Sequence, residues 1–142
     1  MATFPSKEWC EEAVRLVNED PERSLAARGW KGDVGVVVDA EPGQLARPFV
    51  VHVRTRDMHV EPPRVLEDPD DLDELEPAYL ARAPYSVWKQ LLLGSLDPVE
   101  AVLRRRIAVK GDLQQLIDRL RFKGLADRVL AGLQTEYADE LP

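Results

Sequence analysis

Apolar residues recur at three- and four-residue spacing from the start of the chain. Trp9, Ala13, Leu16 and Val17 share one face of a helical wheel, while Glu8, Glu11, Glu12, Arg15 and Asn18 lie mostly elsewhere on it. Ser6 can cap the first turn, so an amphipathic helix is predicted there, and Asp20-Pro21 predicts a short second helix ending near Arg28-Gly29. The period then changes. Val34, Val36 and Val38 alternate with Gly35, Val37 and Asp39, which predicts a strand running to about Ala40, where Glu41-Pro42-Gly43 breaks it. A second strand is expected from about Arg47 to Arg56 with one face exposed. A third extended piece, Met58 to Leu66, contains Pro62-Pro63, which cannot donate ladder hydrogen bonds and so marks an edge or an interruption. Residues 67–76 read as an acidic, solvated linker, and Ala78 to Ala83 as a fourth strand.

The second half returns to helical spacing. Tyr85, Trp88, Leu91 and Leu92 form one apolar face, and Gly94 supplies the left-handed turn that ends it. Asp97-Pro98-Val99-Glu100 joins an N-cap aspartate, a first-turn proline and a third-position glutamate, starting a helix with Val99, Val102 and Leu103 on its apolar side. Ile107 and Val109 make a short fifth strand, and Gly111-Asp112 caps a helix whose stripe is Leu113, Leu116, Ile117 and Leu120. Past Gly124 the stripe resumes out of phase through Val129, Leu130, Leu133 and Tyr137, so a bend is expected near Lys123-Gly124 and a separate helical segment after it. The element order predicts an α+β fold: a five-stranded, mostly antiparallel sheet with helices packed on one face, in a single domain spanning 1–142.

Composition narrows the function classes. Among 142 residues, 26 acids face 19 bases, for a formal charge of -7, which argues against a nucleic-acid partner. Seven of the acids (Glu67, Asp68, Asp70, Asp71, Asp73, Glu74 and Glu76) fall within ten residues. One cysteine, Cys10, forms no internal disulfide and holds no zinc by itself, and neither an export signal nor a run of ~20 apolar residues is seen. The expectation is a cytoplasmic protein without stable membrane insertion.

Polar chemistry is sparse. There is no phosphate-binding glycine loop and no nucleophile elbow. His52 and His59, with Asp57 between them, are too few for a metal site, and Asp68, Asp70 and Asp73 lack the glycine and the twelfth-position glutamate of a calcium loop. Cys10 reads as a small core or boundary residue, and Arg104-Arg105-Arg106 as positive charge at a helix C-terminus. No catalytic residue, metal or cofactor is expected. What remains is a surplus of aliphatic side chains, which builds a filled core or a hollow one equally well.

Three motifs in order, Trp30-Lys31-Gly32 before the valine strand, Tyr85-Ser86-Val87-Trp88 with Gly94-Ser95-Leu96-Asp97-Pro98, and Ile107-Ala108-Val109-Lys110-Gly111-Asp112, resemble the sterol carrier protein type-two lipid-binding domain over nearly the whole chain. That resemblance implies a five-stranded sheet covered by helices, an apolar tunnel between them, and non-catalytic binding or transfer of an acyl chain, sterol or other apolar molecule. It assigns the pocket to Trp88, Leu92, Leu103, Leu113, Leu116, Ile117 and Leu120. The chain departs from the family at Arg56-Asp57, which lacks the usual turn glycine, at Pro62-Pro63, and at Arg105, where many members carry glycine. Residues 125–142 are expected to act as a lid over the opening or as a contact in a homodimer. The alternative reading is an interaction or dimerisation module of the same fold with a filled core, accessory to an enzyme. A hydrolase or isomerase ranks third, because no base has a partner in the sequence.

Overall fold

The alternating valines form the central strand of the molecule. The structure, a computed structural model, describes residues 2–120 and 122–141. In it β2 (Val34–Asp39) lies between β3 (Phe49–Val53) and β7 (Tyr79–Pro84), with β6 (Arg64–Leu66) outside β3 and β8 (Ala108–Lys110) outside β7. The β2–β3, β3–β6 and β7–β8 pairs are antiparallel, whereas β2 and β7 run parallel, with Val36 opposite Ala81 and Val38 opposite Ala83. The sheet is therefore mixed, with antiparallel pairs in the majority.

Local signals account for most helices. α1 (Lys7–Glu19) begins where the Ser6 side chain accepts from the Trp9 amide. α5 (Pro98–Leu103) is capped by Asp97 through the Glu100 amide, and α6 (Leu113–Leu120) by Asp112 through the Gln115 amide. α4 (Tyr85–Leu92) ends before Gly94, which takes φ 78°. α2 spans Arg23–Ala27, two residues later than Asp20-Pro21 would start it, because Asp20 accepts from Glu22 in a turn of its own. α7 (Lys123–Leu133) follows the expected break.

Four segments differ from expectation. The long second strand stops at Val53, and β4 (Thr55–Arg56) turns back on β5 (His59–Val60) as a small hairpin whose two turn residues, Asp57 and Met58, both take left-handed φ. Arg105 is left-handed too, at φ 58°, where the resemblance leads one to expect glycine. The C-terminal segment is not helical throughout: β9 (Thr135–Tyr137) pairs in parallel with β1 (Ala2–Phe4), and a 3-10 turn, Ala138–Glu140, follows.

The fourth difference changes the layering. Residues 67–76 are no solvated linker: Pro69–Leu75 form α3, capped by Asp68, and Leu72 is 0% exposed. Leu72 packs on Val37 and Val50, which point to one face of the sheet, while Val38, Ala81, Ala83 and Val109 pack under the remaining helices on the other. One helix thus covers the face that the sequence pattern left open, and β3 is buried on both sides at Val50, Val51 and His52.

Candidate functional site

The two faces of the sheet are filled differently. Under α3 the Leu72 side chain sits directly over Gly35, closing that layer. On the other face the sheet offers small side chains such as Ala81, and the helices above do not fill the gap. α1 and α6 carry clear apolar stripes, yet neither has a fully buried residue. Part of each face, Val17 of α1 and Leu116 and Leu120 of α6, borders open space.

That space comprises two cavities. The larger, about 430 Å³, lies among Trp88, Leu91 and Leu92 of α4, Leu116 and Leu120 of α6, and Leu125, Val129 and Leu130 of α7, with Ala81 and Val109 as its floor. The smaller, about 270 Å³, has Val34 and Val53 of the sheet, Met58 and Val60 of the small hairpin, and Trp30 in its walls. Val17, Leu116 and Leu125 line both, so the cavities adjoin along one wall. The Trp88 indole is fixed by its N–H, which donates to the Val37 and Ala83 carbonyls at 3.1 Å each, leaving the ring as a rigid wall.

The expected pocket residues divide. Trp88, Leu92, Leu116 and Leu120 come together around the larger cavity. Leu103 and Leu113 do not; they are 63% and 41% exposed and border a separate, more polar pocket of about 730 Å³ at the β8 edge, with Arg82, Arg105 and Lys110. On α5 it is Ala101 and Val102 that turn inward, so Leu103 falls on the solvent side. Ile117 is half-buried and lines neither cavity. Residues not assigned beforehand, Val17, Leu125, Val129 and Leu130, complete the walls; their periodicity was visible, but it is the periodicity of any core-facing stripe.

The polar groups have other tasks. His52 Nε2 donates to Asp33 at 2.6 Å, and the Ala78 amide donates to the same carboxylate. Burial works to raise the Asp33 carboxyl, but the bonds from His52 and Ala78 outweigh it and hold it below its ordinary value. His59 lies apart, on the hairpin, its Nδ1 donating to the Asp57 carbonyl and its Nε2 accepting from Arg23. Among the described residues no three His, Cys, Asp or Glu side chains gather as metal ligands. Burial pushes the Cys10 thiol up to about 12, so it stays protonated at neutral pH. At the C-terminus Tyr85 and Lys89 both donate to Asp139, tying the 3-10 turn to α4. The Tyr85 hydroxyl first and the Lys89 ammonium second hold the Asp139 carboxyl below its ordinary value, and burial pushes Tyr85 up to about 12.

An α+β sheet roofed by helices defines the class of this fold, and known structures share the fold. A crystal structure of sterol carrier protein 2 superposes with a TM-score of 0.66 at 20% identity, covering 96% of this chain and 98% of that one. The solution structure of sterol carrier protein domain 2 of Helicoverpa armigera gives 0.54 at 16% identity, covering 86% and 93%. A conserved hypothetical protein of Thermus thermophilus gives 0.67 at 18% identity, covering 91% and 86%. The chain has the sterol carrier protein 2 fold. No protein-family model and no curated protein matches the sequence. No helix among the described residues is long and apolar enough to cross a membrane.

Proposed function

We propose that this protein binds, and passes on without chemical change, a lipid or comparable apolar molecule held between the sheet and α1, α6 and α7. The observation that carries the reading is the pair of adjoining apolar cavities sharing Val17, Leu116 and Leu125. The larger falls within the roughly 300–1,000 Å³ typical of small-molecule sites. Each methylene moved from water into such a space contributes about 0.8 kcal/mol, so affinity comes from chain length without directed bonds. The likeness in fold to proteins named as sterol carriers supports the same reading.

The alternative, an interaction module with a filled core, is disfavoured by the space beside Trp88 and Leu116. Native mass spectrometry of freshly purified protein tests the proposal. Co-purified acyl lipid is the expected result. A bare mass, together with no uptake of a fluorescent fatty-acid analogue, overturns it.

A further inference from the structure

The main sheet leaves one edge open. β8 pairs with β7 on one side and, among the described residues, with no strand on the other, and its Ala108 and Lys110 are exposed. The opposite edge is defended. There β6 follows Pro62-Pro63, which donates no ladder hydrogen bond, and runs directly into the acidic α3 segment. An edge of unpaired N–H and C=O groups takes up a further strand unless something blocks it.

Beside the β8 edge lies the pocket of about 730 Å³ that Leu103 and Leu113 border. Its charged residues are Arg82, Arg105, Lys110 and one carboxylate, Asp73. Arg82 is held by Asp39 at 2.8 Å, and Arg104 and Arg106, which flank Arg105 in the chain, are held by Glu100 and Gln90. The Arg105 and Lys110 side chains have no ion-paired partner among the described residues. Arg105 moreover takes the left-handed backbone that glycine adopts freely and a residue with a side chain does not, so a basic group stands here against local preference.

The two sides of the edge differ. Lys110 lies opposite Leu80 and shares its sheet face, while Val109 faces the helices, where α5 and α6 bring Leu103 and Leu113. We propose that this edge docks an extended, acidic segment of a partner protein, which adds to the sheet as a strand beside β8. Its alternate apolar side chains meet Leu103 and Leu113, and its carboxylates meet Lys110 and Arg105. A second copy presenting its own β8 is disfavoured, because four positive charges would then gather in one interface. A recess beside a strand edge suits an inserted chain better than a flat lipid surface. Neither Arg105 nor Lys110 lines an apolar cavity, so the inference stands apart from the proposed function.

The test is a nuclear magnetic resonance titration of the isotope-labelled full-length protein with a blocked heptapeptide alternating glutamate with valine, and with its lysine-for-glutamate twin. The acidic peptide is expected to shift the amides of Ala108, Val109 and Lys110 with a dissociation constant below about 1 mM, at least about tenfold tighter than the basic one. Methylating every backbone nitrogen of the acidic peptide keeps its charge but removes its ladder donors, and should abolish the shifts. Arg105→Glu and Lys110→Glu should each bring the ratio between the two peptides down toward one. Should a Glu variant fail to fold, Arg105→Gly removes the charge at a backbone suited to glycine and is read by the same ratio. Absent binding, shifts centred elsewhere, equal binding of both peptides or undiminished binding of the methylated one overturns the proposal. Self-association of the unaltered protein that Lys110→Glu abolishes in analytical ultracentrifugation also overturns it, giving the edge to the acidic α3 of a second copy. Phosphatidylglycerol vesicles that shift these amides when the peptide does not overturn it in favour of a membrane surface.

Discussion

The layer beneath α3 makes a quantitative prediction. Leu72 is 0% exposed, packs with Val37 and Val50, and is the one fully buried residue of its helix. Truncating it to alanine removes most of what holds α3 to the sheet. Leucine-to-alanine changes at buried sites destabilise by about 2–5 kcal/mol, and a short surface helix can settle into part of the space, so about 3 kcal/mol is expected. In urea that lowers the midpoint by roughly 1–3 M at ordinary slopes. Gly35→Ala probes the same contact from the other side. A Cβ at Gly35 would lie 2.6 to 2.9 Å from three Leu72 side-chain carbons, so α3 has to shift, destabilising by roughly 1–3 kcal/mol. Leu72→Ala makes room for that methyl. The double variant is therefore expected to be less destabilised than the sum of the single changes, by about 1 kcal/mol or more. Urea denaturation followed by far-ultraviolet circular dichroism measures all four proteins. A loss below about 1 kcal/mol for Leu72→Ala, with no coupling to Gly35→Ala, would refute the packed α3 and return residues 67–76 to a solvated linker.

Other consequences are as direct. Leu116→Trp enlarges a side chain common to both cavities, so uptake of a long-chain fluorescent fatty-acid analogue should fall about tenfold or more while the circular dichroism spectrum is kept; unchanged uptake would separate the cavities functionally. Because Tyr85 and Lys89 depress the Asp139 carboxyl, its contribution to stability is present above the unfolded value near 3.8 and disappears as pH falls through the lower folded value. The melting temperature of Asp139→Asn should accordingly lie below that of the unaltered protein at pH 7 and converge with it in acid; a gap that persists at pH ~2 contradicts the latch. Cys10, its thiol pushed up to about 12, should react with a disulfide reagent at neutral pH only when the protein is unfolded, and rapid labelling of the folded protein would show that α1 opens.

The sequence showed the strand core and most helix starts because those depend on neighbouring residues. Ser6, Asp97 and Asp112 cap the helices they were expected to cap, and the alternation at 34–38 needs only the two-residue repeat of a pleated strand. Pairings between distant segments were not legible. Nothing local in Ala2-Thr3-Phe4 announces a parallel partner at Thr135–Tyr137, and the parallel register of β2 with β7 depends on the path of the chain between them. α3 was hidden by its charge, although Asp68-Pro69 has the same cap-and-proline grammar as Asp97-Pro98. The site was half legible for a related reason. Spacing puts Leu116 and Leu120 on one side of α6, but the same stripe includes Leu113 and Ile117, which lie outside the cavities, and periodicity carries no record of empty volume.

The structure also changes what the charge of -7 means. The seven carboxylates at 67–76 belong to α3 and its flanks, and without them acids and bases balance at 19 each. α3 lies across the sheet from both cavities. A helix is about 10 Å thick with its side chains, so carboxylates on its outer side stand more than one screening length of about 8 Å from the far face of the sheet at physiological salt. The charged residues that line the smaller cavity are Arg23 and Arg119, and no carboxylate is among its lining. An acidic chain in this way keeps its excess negative charge on the filled face of the sheet, away from the hollow one.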